Sequence, residues 1–211
     1  MGDGQPGGAG RAGIPKVRRE VKAVLAVVLA LIAGSAGAEP DVSTNLLSNW
    51  SFEVSSPKDP APPDGWQRYT TSKIGAFITA DASQSGKQCL RFSAQGIPRA
   101  FQGLTQRMEI VSGEKYTFAA SVMNDPADPL KGVVHLQLCI EWLNAEGREV
   151  FRNFTSPQQT FSKTRWTQLM VRKVKAPPGA VCAVVGIHLY EGERGGKGSL
   201  FVDDMAFGLA R

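Results

Sequence analysis

The chain has 211 residues, with 24 Lys and Arg against 19 Asp and Glu, a formal charge of +5. Five of those basic residues and two of the acidic ones fall within residues 1–38, so residues 39–211 carry 19 against 17. That near balance, without a block of like charges, speaks against nucleic acid, an anionic membrane surface or a strongly charged polymer as partner. Cys89, Cys139 and Cys182 lie far apart with no Cys-x-x-Cys, which excludes a disulfide framework and a zinc ribbon.

The first 16 residues hold six glycines and no apolar period. From Lys16 the sequence reads KVRREVK, then an 11-residue apolar run, Ala23–Ala33, then Ala36-Gly37-Ala38. A basic n-region, a short h-region and a small-residue exit are the parts of a secretory signal peptide, and the run is short of the roughly 20 residues that span a bilayer. Residues 1–38 are therefore expected to be a removed leader, with Glu39 as the mature amino terminus, and the protein to be secreted or periplasmic. Residues 39–211 suit one domain, expected to be a monomer. The leading reading of the cysteines is buried thiols acting as small hydrophobes; one bond in an oxidising compartment is the alternative, with Cys139 and Cys182 as its pair.

The remainder reads as short strands. NLLSNWSFE, residues 45–53, is a short apolar strand ending in a carboxylate, and GWQRYTT, AFITAD, QCLRFS and RAFQGLTQRM follow. KYTFAASVM alternates Tyr116, Phe118, Ala120 and Val122 with Thr117, Ala119, Ser121 and Met123. GVVHLQLCIEWL places Val134, Leu136, Leu138, Ile140 and Trp142 on a core face, and His135, Gln137, Cys139 and Glu141 on the other. EVFRNFT and WTQLMVRKV come next; AVVGIHLY then sets Ala183, Val185, Ile187 and Leu189 against Val184, Gly186, His188 and Tyr190, and SLFVDDMAF closes the series. Between them PKDPAPPDG, SQSGK, VSGEK, NDPADPLKG, NAEG, APPGA and GERGGKG are rich in turn formers. No helical period is sustained. Ten or eleven strands with frequent turns predict an all-β, two-sheet jelly-roll sandwich.

The succession NLLSNWSFE, DGW, SQSGKQCLRF, TQRMEIVSGEKYTFAASV, TRWTQLMV with KAPPGA, and GSLFVDDMAFG resembles secreted carbohydrate-binding modules of the cellulase and xylanase accessory type, which are galactose-binding-like jelly rolls. The resemblance covers about residues 45–208, nearly all of the chain after the leader. It implies a polysaccharide or oligosaccharide as partner. It also implies a structural calcium between the terminal strands, with Glu53 and Asp203 as ligands and carbonyls of the SQSGK turn completing the six to eight oxygens such an ion takes. Strand alternation sends Asp203 and Asp204 to opposite faces, so only one should reach the ion.

A sugar site needs an aromatic ring to stack on and two-way hydrogen-bonding groups to read hydroxyls. His135, Gln137, Glu141, His188 and Tyr190 offer these on the polar faces of two strands, and Trp66 is a further candidate, although the late-strand Trp166 and Trp66 also suit packing. The leading expectation is a non-catalytic carbohydrate-binding protein. A structural or adhesive surface module is the alternative, and a jelly-roll lyase or hydrolase using a His, Glu and Tyr cluster is the third; no Gly-x-Ser-x-Gly, phosphate loop or His-Glu-x-x-His supports it.

Overall fold

The computed structural model describes residues 41–55, 62–70 and 75–211. The leader, its cleavage site and most of PKDPAPPDG lie outside the described residues.

The described residues form ten strands and no helix: β1 (Gln67–Thr70), β2 (Ala76–Thr79), β3 (Cys89–Ser93), β4 (Phe101–Glu109), β5 (Lys115–Asn124), β6 (Lys131–Leu143), β7 (Glu149–Phe154), β8 (Thr167–Lys175), β9 (Cys182–Lys197) and β10 (Ser199–Leu209). They make two antiparallel five-stranded sheets, ordered β1-β4-β9-β6-β7 and β2-β3-β10-β5-β8. The alternation explains the sandwich. Val134, Leu136, Leu138, Ile140 and Trp142 from β6, with Ala183, Val185, Ile187 and Leu189 from β9, face Tyr116, Phe118, Ala120 and Val122 of β5 and Leu200, Val202 and Phe207 of β10 in one core. Fully burying each large side chain there stabilises the fold by about 1.5–3 kcal/mol. Tyr116 stacks on Phe207 at 5.3 Å and tilts against Trp142 at 5.7 Å, so aromatic rings bridge the two layers at one end.

Two expectations about local structure need correction. The apolar stretch 45–53 is not a strand. Asn49 and Phe52 sit at φ +44° and +58°, left-handed conformations that an extended chain cannot contain. The segment instead runs irregularly beside β10, with Leu46 N donating to Phe207 O at 2.7 Å, Met205 N to Trp50 O at 3.0 Å and the Asn45 side chain to Met205 O at 2.9 Å. From inside the sandwich Gln106 clasps it, donating to Ser48 O at 2.7 Å. GERGGKG, read as a turn, is mostly the far end of β9: Lys197 and Gly196 pair with Lys131 and Gly132 across a bulge. The buried-thiol reading of the cysteines holds: all three are free and buried. Cys139 lies opposite Gly186 and Cys182 opposite Leu143 on the same pair of strands. That offset of four residues is about 13 Å along the strand, well beyond disulfide reach. Burial pushes the Cys89 and Cys139 thiols up to about 12 and raises Cys182.

Candidate functional site

Pairing of β6 with β9 decides the site. His135 stands opposite Tyr190, Gln137 opposite His188 and Glu141 opposite Val184, so the two polar faces read from sequence become one surface on the outside of the β1-β4-β9-β6-β7 sheet. β4 adds Phe101 opposite Tyr190, Gly103 opposite His188 and Thr105 opposite Gly186. On the outer edges, β1 brings Tyr69 opposite Gly103 and β7 brings Arg152 opposite Glu141 and Phe154 opposite Cys139. Tyr69 and Phe154 are 55% and 57% exposed, and their strands are four spacings apart, about 19 Å. Between those rings the floor is low, because two of its positions are glycine.

The aromatic bank is continuous on the β1 side: Tyr69 meets Phe101 edge-on at 5.3 Å, and Phe101 tilts against His188 at 4.9 Å. His135 and Tyr190 lie 6.1 Å apart at 31°. Burial and then the nearby Arg152 charge depress the His188 imidazole to about 4, so it is neutral at physiological pH. His135 Nδ1 is buried with no partner. Gln137 is partly committed, its amide donating to Thr155 O at 2.6 Å. Glu141 accepts from Arg152 at 3.0 Å, and Arg152 also bonds Glu149 at 2.5 Å. These contacts hold the guanidinium charged and brace the bank formed by β7.

Trp66 does not join this surface, which corrects its assignment as a ligand group. It is 4% exposed, packs on Phe52 with ring centres 5.6 Å apart and donates its indole N–H to Asn49 O at 3.2 Å. Tyr69, Phe101, Phe154 and Arg152, in contrast, were not singled out in the sequence. Their signal was present as alternation in GWQRYTT and EVFRNFT, but only the sheet order puts those strands at the two edges of one face.

Glu53 and Asp203 meet the same turn from two sides. Glu53 Oε1 accepts from Lys87 N and Gln88 N, both at 2.9 Å, and Asp203 Oδ2 accepts from Gln84 N at 2.7 Å and Ser85 N at 3.2 Å. Gly86, at φ +62°, lets the turn close on Glu53; a Cβ there would sit 2.3 Å from Oε1. The expectation that Asp203 and Asp204 point apart fails. A bulge in β10 between Asp203 and Ala206, with Asp204 at φ +45°, breaks the alternation, and Asp204 accepts from the Ser85 hydroxyl. Asp203 is fully buried, and among the described residues no basic side chain lies within ion-pair distance of it. Burial, with the Asp204 charge adding to it, raises its carboxyl to about 7.

A further carboxylate had no sequence signal. Glu191, 1% exposed, accepts from the amides of Gln95, Gly96, Ile97 and Gly196 at 2.5–3.2 Å, tying the loop after β3 to the end of β9.

No family model matches the sequence, and no curated protein matches it. Solved structures do. TmCBM61, determined in complex with β-1,4-galactotriose, is 17% identical, with 79% of this chain and 99% of that one covered at a TM-score of 0.54. The CBM22-1 xylan-binding domain of Paenibacillus barcinonensis Xyn10C is 16% identical over 83% of this chain and 99% of its own, with a TM-score of 0.53. The enzymatically active domain of tailspike protein 4 of bacteriophage CBA120 is also 16% identical over 78% of this chain, but only 21% of that chain is covered, with a TM-score of 0.53. At these identities the likeness is one of architecture, and the fold of this chain is the jelly-roll β-sandwich of carbohydrate-binding modules.

Proposed function

We propose that this protein binds a near-neutral polysaccharide or oligosaccharide across the outer face of the β1-β4-β9-β6-β7 sheet, without cleaving it. The observation that carries the reading is the β6–β9 register, which gathers two imidazoles, an amide, a carboxylate and a phenol between exposed aromatic rings. Such a face offers sugar rings a stacking surface and offers hydroxyls both donors and acceptors. The similar structures, one in complex with galactotriose and one a xylan-binding domain, support the same class of partner.

Binding is favoured over glycoside hydrolysis by the pairing of the carboxylates. Hydrolysis needs a proton donor and a second carboxylate aimed at one bond. Here Glu141 and Glu149 are both tied to Arg152. The test is an array of polysaccharides probed with the purified protein, followed by product analysis on any polymer retained. Retention without products is the expected result; release of oligosaccharides would replace this reading with an enzymatic one.

A structural calcium belongs to the same reading. What supports it is the buried Asp203 carboxylate without a basic partner, beside Glu53 and Asp204 on one turn. Among the described residues no three His, Cys, Asp or Glu side chains are grouped to hold a metal, so backbone carbonyls would have to supply the rest of its oxygen shell. Glu53 and Asp203 would hold the ion through lone pairs their amide donors leave free, and it would supply the positive charge this cluster lacks. Export follows the leader read from Lys16 to Ala38; a mature amino terminus at Glu39, measured by mass spectrometry, is its check.

A further inference from the structure

Side chains on a strand normally stand roughly perpendicular to the sheet. His188 does not. A Cβ built on Gly186 would lie 2.7 Å from its Nε2, and one built on Gly103 would lie 2.6 Å from its Cδ2. The ring therefore leans back along β9 and across toward β4, covering both glycines. Neither glycine is needed for a left-handed backbone, because the positive-φ glycines are others. Glycine inside a strand weakens it, and where no dihedral demands it, it marks a close approach of something to the backbone.

The two glycines differ in what approaches. At Gly103 the Ile187 carbonyl oxygen is 2.8 Å from the virtual Cβ, so the neighbouring backbone already excludes a side chain there. At Gly186 the closest atoms are side-chain ends, His188 Nε2 at 2.7 Å and the Thr105 methyl at 2.8 Å, with the Leu104 oxygen at 3.2 Å. The backbone at Gly186 thus leaves nearly enough room for a methyl group, and it is chiefly the His188 ring that does not.

We infer that Gly186 determines the depth of the glycan trough: by having no side chain it lets the His188 imidazole lie flat as a floor, with sugar rings resting on it between Tyr69 and Phe154. This rests on the glycan-binding reading and adds a specificity-determining residue to it. Flat, the ring covers the middle of the face, inclined at 56° to Phe101; upright, it would fill the space between the two aromatic edges. His188 makes no hydrogen bond to any described residue, so its nitrogens remain for hydroxyls above or beside it. The depression of its titration to about 4 agrees with a ring pressed onto the sheet.

The test uses Thr105→Ala as the background, which removes the second contact, and adds Gly186→Ala. Against whichever glycan the array identifies, the double variant should bind at least about tenfold more weakly than Thr105→Ala alone. By NMR its His188 imidazole should titrate nearer the ordinary histidine value of about 6.5. Equal affinity together with an unchanged His188 titration overturns the inference. If the wild-type protein retains no glycan at all, the glycan reading fails separately, and the NMR arm alone still decides whether Gly186 holds the ring flat. Should that double variant unfold, Gly186→Ala is added instead to a protein carrying both Thr105→Ala and His188→Ala, and the triple variant is compared with that pair. Matching melting points are expected, since the methyl then has no ring to displace; a lower one places the clash on the backbone and overturns the inference.

Discussion

The two sheets of the sandwich carry polar groups outward by the same alternation and commit them to the chain to different degrees. On the β2-β3-β10-β5-β8 sheet they hold loops down. Arg91 of β3 bonds Asp125 at 2.8 Å, lies 3.7 Å from Asp128 and 3.9 Å from Asp81, and sits over the Phe77 ring at 5.9 Å. Asp203 of β10 takes the amides of the 83–88 turn. On the β1-β4-β9-β6-β7 sheet, His188 bonds no described residue and the flanking rings are exposed. Polar groups fully spent on the chain's own amides and charges brace the fold; an imidazole that bonds nothing in the chain and lies between exposed rings is available to a ligand. That difference, rather than composition, is what picks out the face.

The largest effect expected from breaking this contrast is on the braced side. Arg91→Leu leaves the Asp125 carboxylate, 5% exposed, without its cation. Removing one partner of a buried pair costs about 3–5 kcal/mol, and for a chain of this size the melting temperature should fall by roughly 10 °C. Glycan affinity of the folded protein should not change. Thermal melts paired with titration calorimetry check both halves.

The sequence made much of this face legible and left its boundaries hidden. Alternation in GVVHLQLCIEWL and AVVGIHLY assigns the core and outward residues correctly, because period 2 survives wherever a strand is half buried. Adjacency of those strands is a long-range fact of topology that no local pattern contains. Alternation misleads at bulges, as at Asp203–Asp204, and where left-handed residues interrupt an apolar run, as at Asn49 and Phe52. Trp66 was ambiguous for a third reason: a large aromatic beside an Asp-Gly turn serves equally as lid or platform, and only its partners, Phe52 and Asn49 O, decide.

On the open side, pH gives the next largest effect. The folded state holds the His188 pKa near 4, below its unfolded value of about 6.5. The unfolded chain therefore binds more protons between those values. The contribution is fully present above pH 6.5 and is lost as pH falls toward 4, a change of up to about 3 kcal/mol. Asp203, whose carboxyl is raised to about 7, works the other way, its contribution fading as pH rises. Urea unfolding of wild type and His188→Gln across pH 4–8 cancels that common part. The wild type should lose stability relative to the variant on acidification; parallel curves would mean the ring is not buried on the sheet.

Calcium sharpens the braced side. Free ion at 100 times its dissociation constant adds about 2.7 kcal/mol to stability. Chelation should lower the melting temperature, calcium should restore it, and Glu53→Gln should remove most of the response. A melting point indifferent to chelator and to added calcium would leave Asp203 held by amides alone.

The smallest effect is the one that separates the two faces most directly. Each sugar contact exchanges bonds to water for bonds to protein, or adds a stacking term, at a net of about 0.5–1.5 kcal/mol. Tyr190→Ala should therefore weaken glycan binding by up to about tenfold while leaving the fold intact, since the ring is only partly buried and its closest aromatic partner is His135. Affinity should be modest, roughly micromolar to millimolar, and should rise with oligosaccharide length as more of the 19 Å or so between the aromatic edges is covered. Phe77→Ala removes an exposed ring of similar size from the opposite sheet, where it lies over Arg91. It should leave affinity unchanged. Calorimetric titration of both variants with oligosaccharides of increasing length makes the comparison: if Phe77→Ala weakens binding and Tyr190→Ala does not, the glycan lies on the braced sheet, and unpartnered polar groups are not what marks the binding face of this sandwich.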